Sequence, residues 1–247
     1  MRVAAAVVVV AVAACGPNAA FAQTEQPRFL ISASAGFQPG DQAIADNGTF
    51  PLYDETGLLS VASEVAIGAF WDLSAAVRVT RGFTLGIGAH RGSGTDPIEV
   101  SGLAPHPVFF NRPRPFAATV DEAERVEKAF HMSAGYLVPL GTKFDVHLFA
   151  GPSKFRFEQD VVDSVTVSDS GGTFSATPNL VTRKKSTWGG HLGADVSYPI
   201  YQSFATSVRL GAFLRYAKAS SEMPVVSDII DTDVGGVQYG GGIRFRF

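Results

Sequence analysis

The sequence predicts an all-β chain folded as an eight-stranded antiparallel up-and-down transmembrane β-barrel, with short turns at one end and long loops at the other. Eight runs alternate large apolar residues with small, polar or charged ones, the period-2 pattern of a strand with two unlike faces. The links between those runs alternate in length, tight and then long. Past the first 22 residues no run of eighteen apolar residues could cross a membrane as a helix, so any crossing must be made by strands.

The first run, residues 28–37, sets Phe29, Ile31, Ala33, Ala35 and Phe37 against Ser32, Ser34 and Gly36. The second, 68–80, sets Trp71, Leu73, Ala75, Val77 and Val79 against Asp72, Ser74 and Arg78. The third, 83–90, opposes Phe83, Leu85, Ile87 and Ala89 to Thr84, Gly86, Gly88 and His90. The fourth, 129–140, opposes Phe130, Met132, Ala134 and Tyr136 to His131, Ser133 and Gly135. In the fifth, 144–151, Val146, Leu148 and Ala150 alternate with Asp145, His147 and Phe149. The sixth, 190–198, alternates Leu192, Ala194, Val196 and Tyr198 with His191, Gly193, Asp195 and Ser197. The seventh, 207–216, alternates Val208, Leu210, Ala212, Leu214 and Tyr216 with Arg209, Gly211, Phe213 and Arg215. The eighth, 237–247, has Gln238, Gly240, Gly242, Arg244 and Arg246 as its polar side.

Tight links follow the second, fourth and sixth runs, at 81–82, 141–143 and 200–203. Long ones follow the others, at about 38–60, 91–127, 159–186 and 217–236. This asymmetry is that of a bacterial outer-membrane barrel with both termini on the short-turn side. Within the long links "PIEVSGL" (97–103) and "FAATV" (116–120) still read as extended, so strand extensions above the membrane are expected.

The N-terminus indicates export. Arg2 precedes an apolar run over 3–14, a "GPN" break and the small-residue site Ala20-Phe21-Ala22. That is the layout of a signal peptide for Sec export spanning 1–22, leaving 23–247 as one barrel domain beginning at Gln23. A second reading is lipidation at Cys15, in "VAAC". Cys15 is the only cysteine, so ordinary cleavage leaves no disulfide, cysteine-bound zinc or thiol redox site. With 26 glycines, 19 phenylalanines, 17% charged residues and a mean hydropathy of +0.14, the composition is unusual for a soluble enzyme of 247 residues. A net charge of −3 gives no basic excess for nucleic acid.

A soluble lipocalin-like barrel shares the strand count but turns its apolar rows inward. Three features favour the membrane. The polar rows carry full charges of both signs, Asp72, Arg78, Asp145, Asp195, Arg209, Arg215, Arg244 and Arg246, which suit a packed, salt-bridged interior rather than a lipophilic cavity. Aromatics gather in two girdles: Phe29, Phe83, Tyr136, Phe144, Tyr198 and Phe247 near the short turns, and Phe37, Trp71, Phe130, Tyr216 and Tyr239 near the long loops. Finally, the chain ends on alternating apolar residues and a terminal ring, Tyr239, Ile243, Phe245 and Phe247. This ending resembles the C-terminal assembly signal of Gram-negative outer-membrane barrels. The resemblance implies recognition by the barrel-assembly machinery and closure of the last strand on the first. The whole mature chain is similar to the eight-stranded outer-membrane barrels of the OmpA and OmpX type, particularly the uncharacterised small outer-membrane β-barrel proteins. It implies residence in the outer membrane of a Gram-negative bacterium, among outer-membrane lipid and lipopolysaccharide, as a monomer.

An eight-stranded barrel is filled by its own side chains, so an open pore is not expected and the inward charges are expected to neutralise one another. The function expected is structural or surface-interacting and non-enzymatic, without a cofactor or metal; a lipid-modifying enzyme or a narrow gated channel are the alternatives. No nucleophile with base and orienter is legible, although His147 lies two residues from Asp145, and His90, His131 and His191 occupy similar faces. The most distinctive loop is "APHPVFFNRPRPF", 104–116. Four prolines stiffen it, and His106, Phe109, Phe110, Arg112 and Arg114 offer apolar and cationic groups either as a cap over the barrel or to lipopolysaccharide, a surface partner or another extracellular ligand.

Overall fold

The computed structural model describes residues 28–39, 42–65, 67–141, 143–170, 173–224 and 229–247. The expected signal peptide, 1–22, its cleavage point and Cys15 lie outside the described residues. Ten antiparallel strands follow in order: β1 (Phe29–Gln38), β2 (Gln42–Leu52), β3 (Glu55–Val65), β4 (Gly68–Thr80), β5 (Phe83–Ala104), β6 (Arg114–Leu140), β7 (Phe144–Ser170), β8 (Thr173–Gln202), β9 (Ser207–Pro224) and β10 (Ile229–Arg246). Eight of them close a ring, β1-β4-β5-β6-β7-β8-β9-β10 and back to β1. Closure reaches the final residue: Phe29 and Phe247 exchange both backbone hydrogen bonds, at 2.8 and 3.1 Å, and their rings stack 5.7 Å apart. No edge is left in the ring to face lipid.

The first and third tight turns are set by local backbone geometry. Arg81 and Gly82 both take positive φ, 32° and 118°, between the paired residues Thr80 and Phe83; a two-residue hairpin turn demands this sign. The third tight turn lies at Ser203 to Thr206, not 200–203, because β8 runs on to Gln202 and Ser203 N–H bonds to the Thr206 carbonyl at 2.8 Å.

The long links differ most from the sequence reading. In place of a loop at about 38–60 stands the β2–β3 hairpin, which turns at Tyr53 and Asp54 and runs on to Val65, and β3 takes over from β4 as the neighbour of β5 from Leu58↔Leu103 to Ser63↔Ile98. The segments 97–103 and 116–120 are extended and pair with each other. Pro97, which has no N–H to give the ladder, sits at the register shift between Asp96 and Ile98. β7 and β8 continue as a long hairpin past the expected loop start at 159.

These extensions reverse the polarity of the wall. In β7 the outward row reads Phe144, Val146, Leu148, Ala150 and Pro152, then Lys154, Arg156 and Glu158. Its inward row is Asp145, His147, Phe149, Gly151 and Ser153, followed by the fully buried Phe155 and Phe157. Below the switch the outside is hydrocarbon and the inside polar. Above it, Phe155, Phe157, Val161 and Val234 form an inner apolar plug, with a second cluster of Leu59, Ile98, Val100 and Val162. A wall that faces lipid below and water above has this inversion, since the outer face follows its solvent. On β8 the lipid-facing stretch runs from Tyr198 to Trp188. The ten steps between them, at about 3.3 Å each and tilted about 40°, cover roughly 25 Å, the height of an outer-membrane apolar band.

Both girdles point outward from the ring. Phe29, Phe83, Tyr136, Phe144, Tyr198 and Phe247 are exposed at the short-turn end, and Phe37, Trp71, Phe130, Tyr216 and Tyr239 at the other, where Trp188 joins them. Between them Leu73, Leu85, Ile87, Leu192, Leu210 and Leu214 are more than 45% exposed.

Candidate functional site

The inward residues of the membrane-level strands form two polar layers. In the lower layer Asp145 is shared by Arg246 at 2.5 Å and Arg209 at 2.8 Å, and both guanidiniums also bond Ser197 Oγ. Arg78 lies in the field of Asp145 and Arg246. Arg244 is clasped by Asp195 and donates to Ser34 Oγ at 2.8 Å. Arg209, Arg244 and Arg246 are thereby each held by a carboxylate and a hydroxyl from other strands, cross-struts inside the barrel. A cavity of about 90 Å³, lined by Ser34, Asp72, His131, His147, Asp195 and Arg244 among others, separates this layer from the next; it has room for a few waters.

The upper layer is a continuous network of buried polar side chains. Arg215 donates to Asp72 at 2.8 Å and to Gln238 Oε1 at 2.6 Å, and its remaining nitrogen lies 3.3 Å from His90 Nδ1. Gln238 donates in turn to Gln38 Oε1 at 2.5 Å. From His90 a chain crosses the lumen: Nδ1 lies 2.8 Å from His131 Nε2, His131 Nδ1 lies 2.7 Å from Ser153 Oγ, and Ser153 Oγ lies 2.8 Å from His191 Nδ1. At the far end His90 Nε2 lies 3.4 Å from Glu127 Oε1. One proton arrangement fits the contacts from Arg215 to His191, with His90 Nδ1 shared between the Arg215 and His131 donors. A guanidinium can only donate, so His90 Nδ1 accepts, which puts the His90 proton on Nε2 towards Glu127. His131 then donates from Nε2, accepts at Nδ1 from the Ser153 hydroxyl, and Ser153 accepts from His191.

Two consequences concern chemistry. Asp72, His90 and His131 each offer a ligand atom within 4.8 Å of the others, the dimensions of a three-ligand metal site. The Arg215 guanidinium, bonded to both Asp72 and His90, is the cation at that position. Secondly, Ser153 donates to a histidine whose other nitrogen leads through His90 to a carboxylate, the order of a nucleophile, base and orienter. The sequence placed Gln238 on a polar row but did not single out Ser153, Glu127 or Gln38, because only the registers Gly88↔His131, His131↔Ser153 and Gly151↔His191 set these rows at one height. The Asp145 and His147 pair suggested by spacing does not form. Asp145 is taken by arginines, and His147 Nε2 meets Thr84 Oγ1 at 2.8 Å.

The crest between β5 and β6 is a compact turn. His106 Nδ1 accepts from the N–H groups of Val108 and Phe109 at 3.1 and 3.2 Å, and its ring packs against Phe109, over which Arg112 lies at 5.8 Å. Val108 and Phe110 project at 77% and 74% exposure. Arg114 is no part of this tip: it is the first residue of β6, ion-paired to Asp169 at 2.6 Å and stacked over Phe174 at 4.2 Å, where it ties the crest to the β7–β8 hairpin. At the other end of the chain Tyr239, Ile243 and Phe245 lie on the outer face of β10 beside β1, and Phe247 follows them, paired with Phe29.

No family model matches the sequence, and no curated protein matches it. Solved structures similar to the chain include that of Neisserial surface protein A, at 13% identity and a TM-score of 0.40, covering 88% of this chain and 95% of that one. The outer membrane protein OprG of Pseudomonas aeruginosa is similar at 11% identity and a TM-score of 0.44, over 90% and 96%. The outer membrane protease OmpT of Escherichia coli is similar at 8% and 0.47, over 90% and 98%.

Proposed function

We propose that the chain is an integral outer-membrane barrel, non-enzymatic, with a packed interior that braces the wall and a recognition surface raised on the loops. The observation that carries this reading is the outward apolar belt between two aromatic girdles, closed into a ring and inverted in polarity above them. Burying such a belt in water-soluble form would require a partner covering the whole circumference. The cross-strutted charges and the plug of Phe155 and Phe157 support a brace over an open pore. Its recognition surface is the exposed crest of Val108, Phe109, Phe110 and Arg112, held in shape by His106 and facing an extracellular ligand. Cell fractionation with gels run before and after heating tests this: the protein should fractionate with the outer membrane and shift its mobility on boiling. Recovery from the periplasm without a shift would overturn it.

A second reading, a barrel-embedded hydrolase, rests on the Ser153, His131, His90 and Glu127 chain. Labelling of the folded barrel by a fluorophosphonate, lost in Ser153→Ala, would favour it; absence of labelling leaves the brace.

A further inference from the structure

The outer face of the barrel is not uniform where the apolar belt ends. On the β5 to β8 side, just above the girdle residues Trp71, Phe130 and Trp188, the outward rows turn to Arg91, Lys128, Lys154, Arg156 and Lys184. The ladder aligns them: Trp71↔Arg91, Arg91↔Lys128, Lys128↔Arg156 and Arg156↔Ser186 form one row, with Phe130↔Lys154 and Lys154↔Trp188 beneath and Glu158↔Lys184 above. These five and Lys185 line one open groove of about 660 Å³ whose floor includes Trp71, Ala89 and Phe130, and no carboxylate lines it. Glu158 borders it and gathers three of the cations, with Lys184 at 3.1 Å, Arg156 at 3.8 Å and Lys128 at 4.0 Å. Lys154 lies 5.7 Å over the Trp188 ring. On the opposite wall the comparable cation, Lys218, is neutralised by Asp233 at 2.7 Å.

From this arrangement we infer that the groove binds the phosphorylated headgroup of a glycolipid of the outer leaflet, the lipid A moiety of lipopolysaccharide. The inference rests on the outer-membrane reading, which sets the long-loop end in the outer leaflet. Three features specify the occupant. The groove lies at the height where hydrocarbon gives way to headgroup, marked by aromatic rings below and charge above. Its cations exceed its carboxylates by enough to receive more than one phosphate, and lysine and arginine stems can lie along acyl chain while their heads reach up. Its floor continues into the lipid-facing belt, so a ligand seated there keeps its acyl chains against Phe130, Ala89 and Trp71. A soluble anion would use the charges and leave that floor uncovered.

The chain's two tryptophans are Trp71 and Trp188, one lining the groove and the other under Lys154, so intrinsic fluorescence reports on the site directly. Folded protein in detergent is titrated with diphosphoryl lipid A, with the same lipid enzymatically dephosphorylated, and with inorganic phosphate. Heat-dependent mobility is checked in parallel to show that the barrel is intact. Diphosphoryl lipid A should bind at least tenfold more tightly than the dephosphorylated lipid, and inorganic phosphate at equal concentration should not compete. The set K128Q, K154Q, R156Q and K184Q, all on the exposed outer face, should lose that tenfold preference while keeping the heat shift, and R112Q at the crest should keep it. Equal affinity for both lipids, an unchanged preference in the fourfold variant, or full competition by inorganic phosphate would overturn the inference. Failure of the heat shift in the unaltered protein would instead overturn the membrane reading beneath it.

Discussion

Replacing Asp72 by alanine leaves the Arg215 guanidinium, itself only 5% exposed, without its carboxylate inside the barrel. Removing one partner of a buried pair costs about 3–5 kcal/mol, mostly because the remaining charge stays desolvated. Arg215 keeps Gln238 and His90, so the lower end, about 3 kcal/mol, applies; at about 1.4 kcal/mol per decade the folding equilibrium falls roughly a hundredfold. Arg215→Met removes that charge but leaves the buried Asp72 carboxylate as the unpaired partner and also orphans Gln238, at about 3–5 kcal/mol. The double variant should therefore be more stable than the sum of the single losses, with a coupling of about 2 kcal/mol. Urea unfolding from lipid vesicles, followed by tryptophan fluorescence, measures each corner of this cycle; Trp71 adjoins the first site. The exposed pair Asp163 and Arg183, also 2.8 Å apart but half in water, is the control, with an expected coupling below about 1 kcal/mol. If the buried pair couples no more strongly than this one, the inner charges are not braces.

Other expected outcomes concern the two ends and the rim. Phe247→Ser, or deletion of Phe247, should cut membrane insertion far more than Phe110→Ser, because Phe247 closes the ring on Phe29 while Phe110 projects into solvent; equal yields of inserted barrel would refute this. Changing Phe109, Phe110 and Arg112 to alanine should leave the heat shift intact while weakening surface binding, whereas adding Arg114→Ala should loosen the crest, read as faster proteolysis, because that residue anchors it to Asp169. The hydrogen bond from Lys184 holds the Glu158 carboxyl below the usual carboxylate range. A group depressed on folding stabilises above its unfolded value, about 4.3, and that contribution fades as pH falls through the lowered one. A carboxyl carbon titration by NMR should show this, with the midpoint moving up in Lys184→Gln.

What could be read in advance follows from period. A wall between lipid and a packed lumen imposes strict alternation, and this marked the membrane parts of all eight ring strands, with β4 bounded at Gly68 and Thr80 in both readings. Above the membrane the outer solvent changes, the alternation inverts at Lys154 and Phe155, and a residue-by-residue pattern looks broken although the strand runs straight on. The β2–β3 hairpin was hidden for a related reason: Gly48 and Pro51 weaken its local signal, and its partner on β5 lies some forty residues away. The histidines were visible singly, but their chain through Ser153 depends on registers among β5, β6, β7 and β8 that no single strand encodes. Phe109 and Arg112 were legible as an exposed tip because prolines and polar neighbours mark a crest, whereas Arg114 looked equivalent to Arg112 two residues away and is set apart only by the approach of Asp169.

The central claim is that the outward row faces hydrocarbon up to Trp188 and Pro152 and water beyond. Cys15 is the only native cysteine, so once it is replaced, single cysteines can carry nitroxide labels along β7 and β8 in the folded, vesicle-reconstituted protein. Power saturation with oxygen and with a water-soluble nickel complex then reads the solvent at each site. Labels at Leu148, Leu192 and Val196 should be relaxed mainly by oxygen, and labels at Arg156 and Glu158 mainly by nickel, with the change falling between Ala150 and Arg156. Nickel access at Leu148 and Leu192 equal to that at Glu158 would contradict the account.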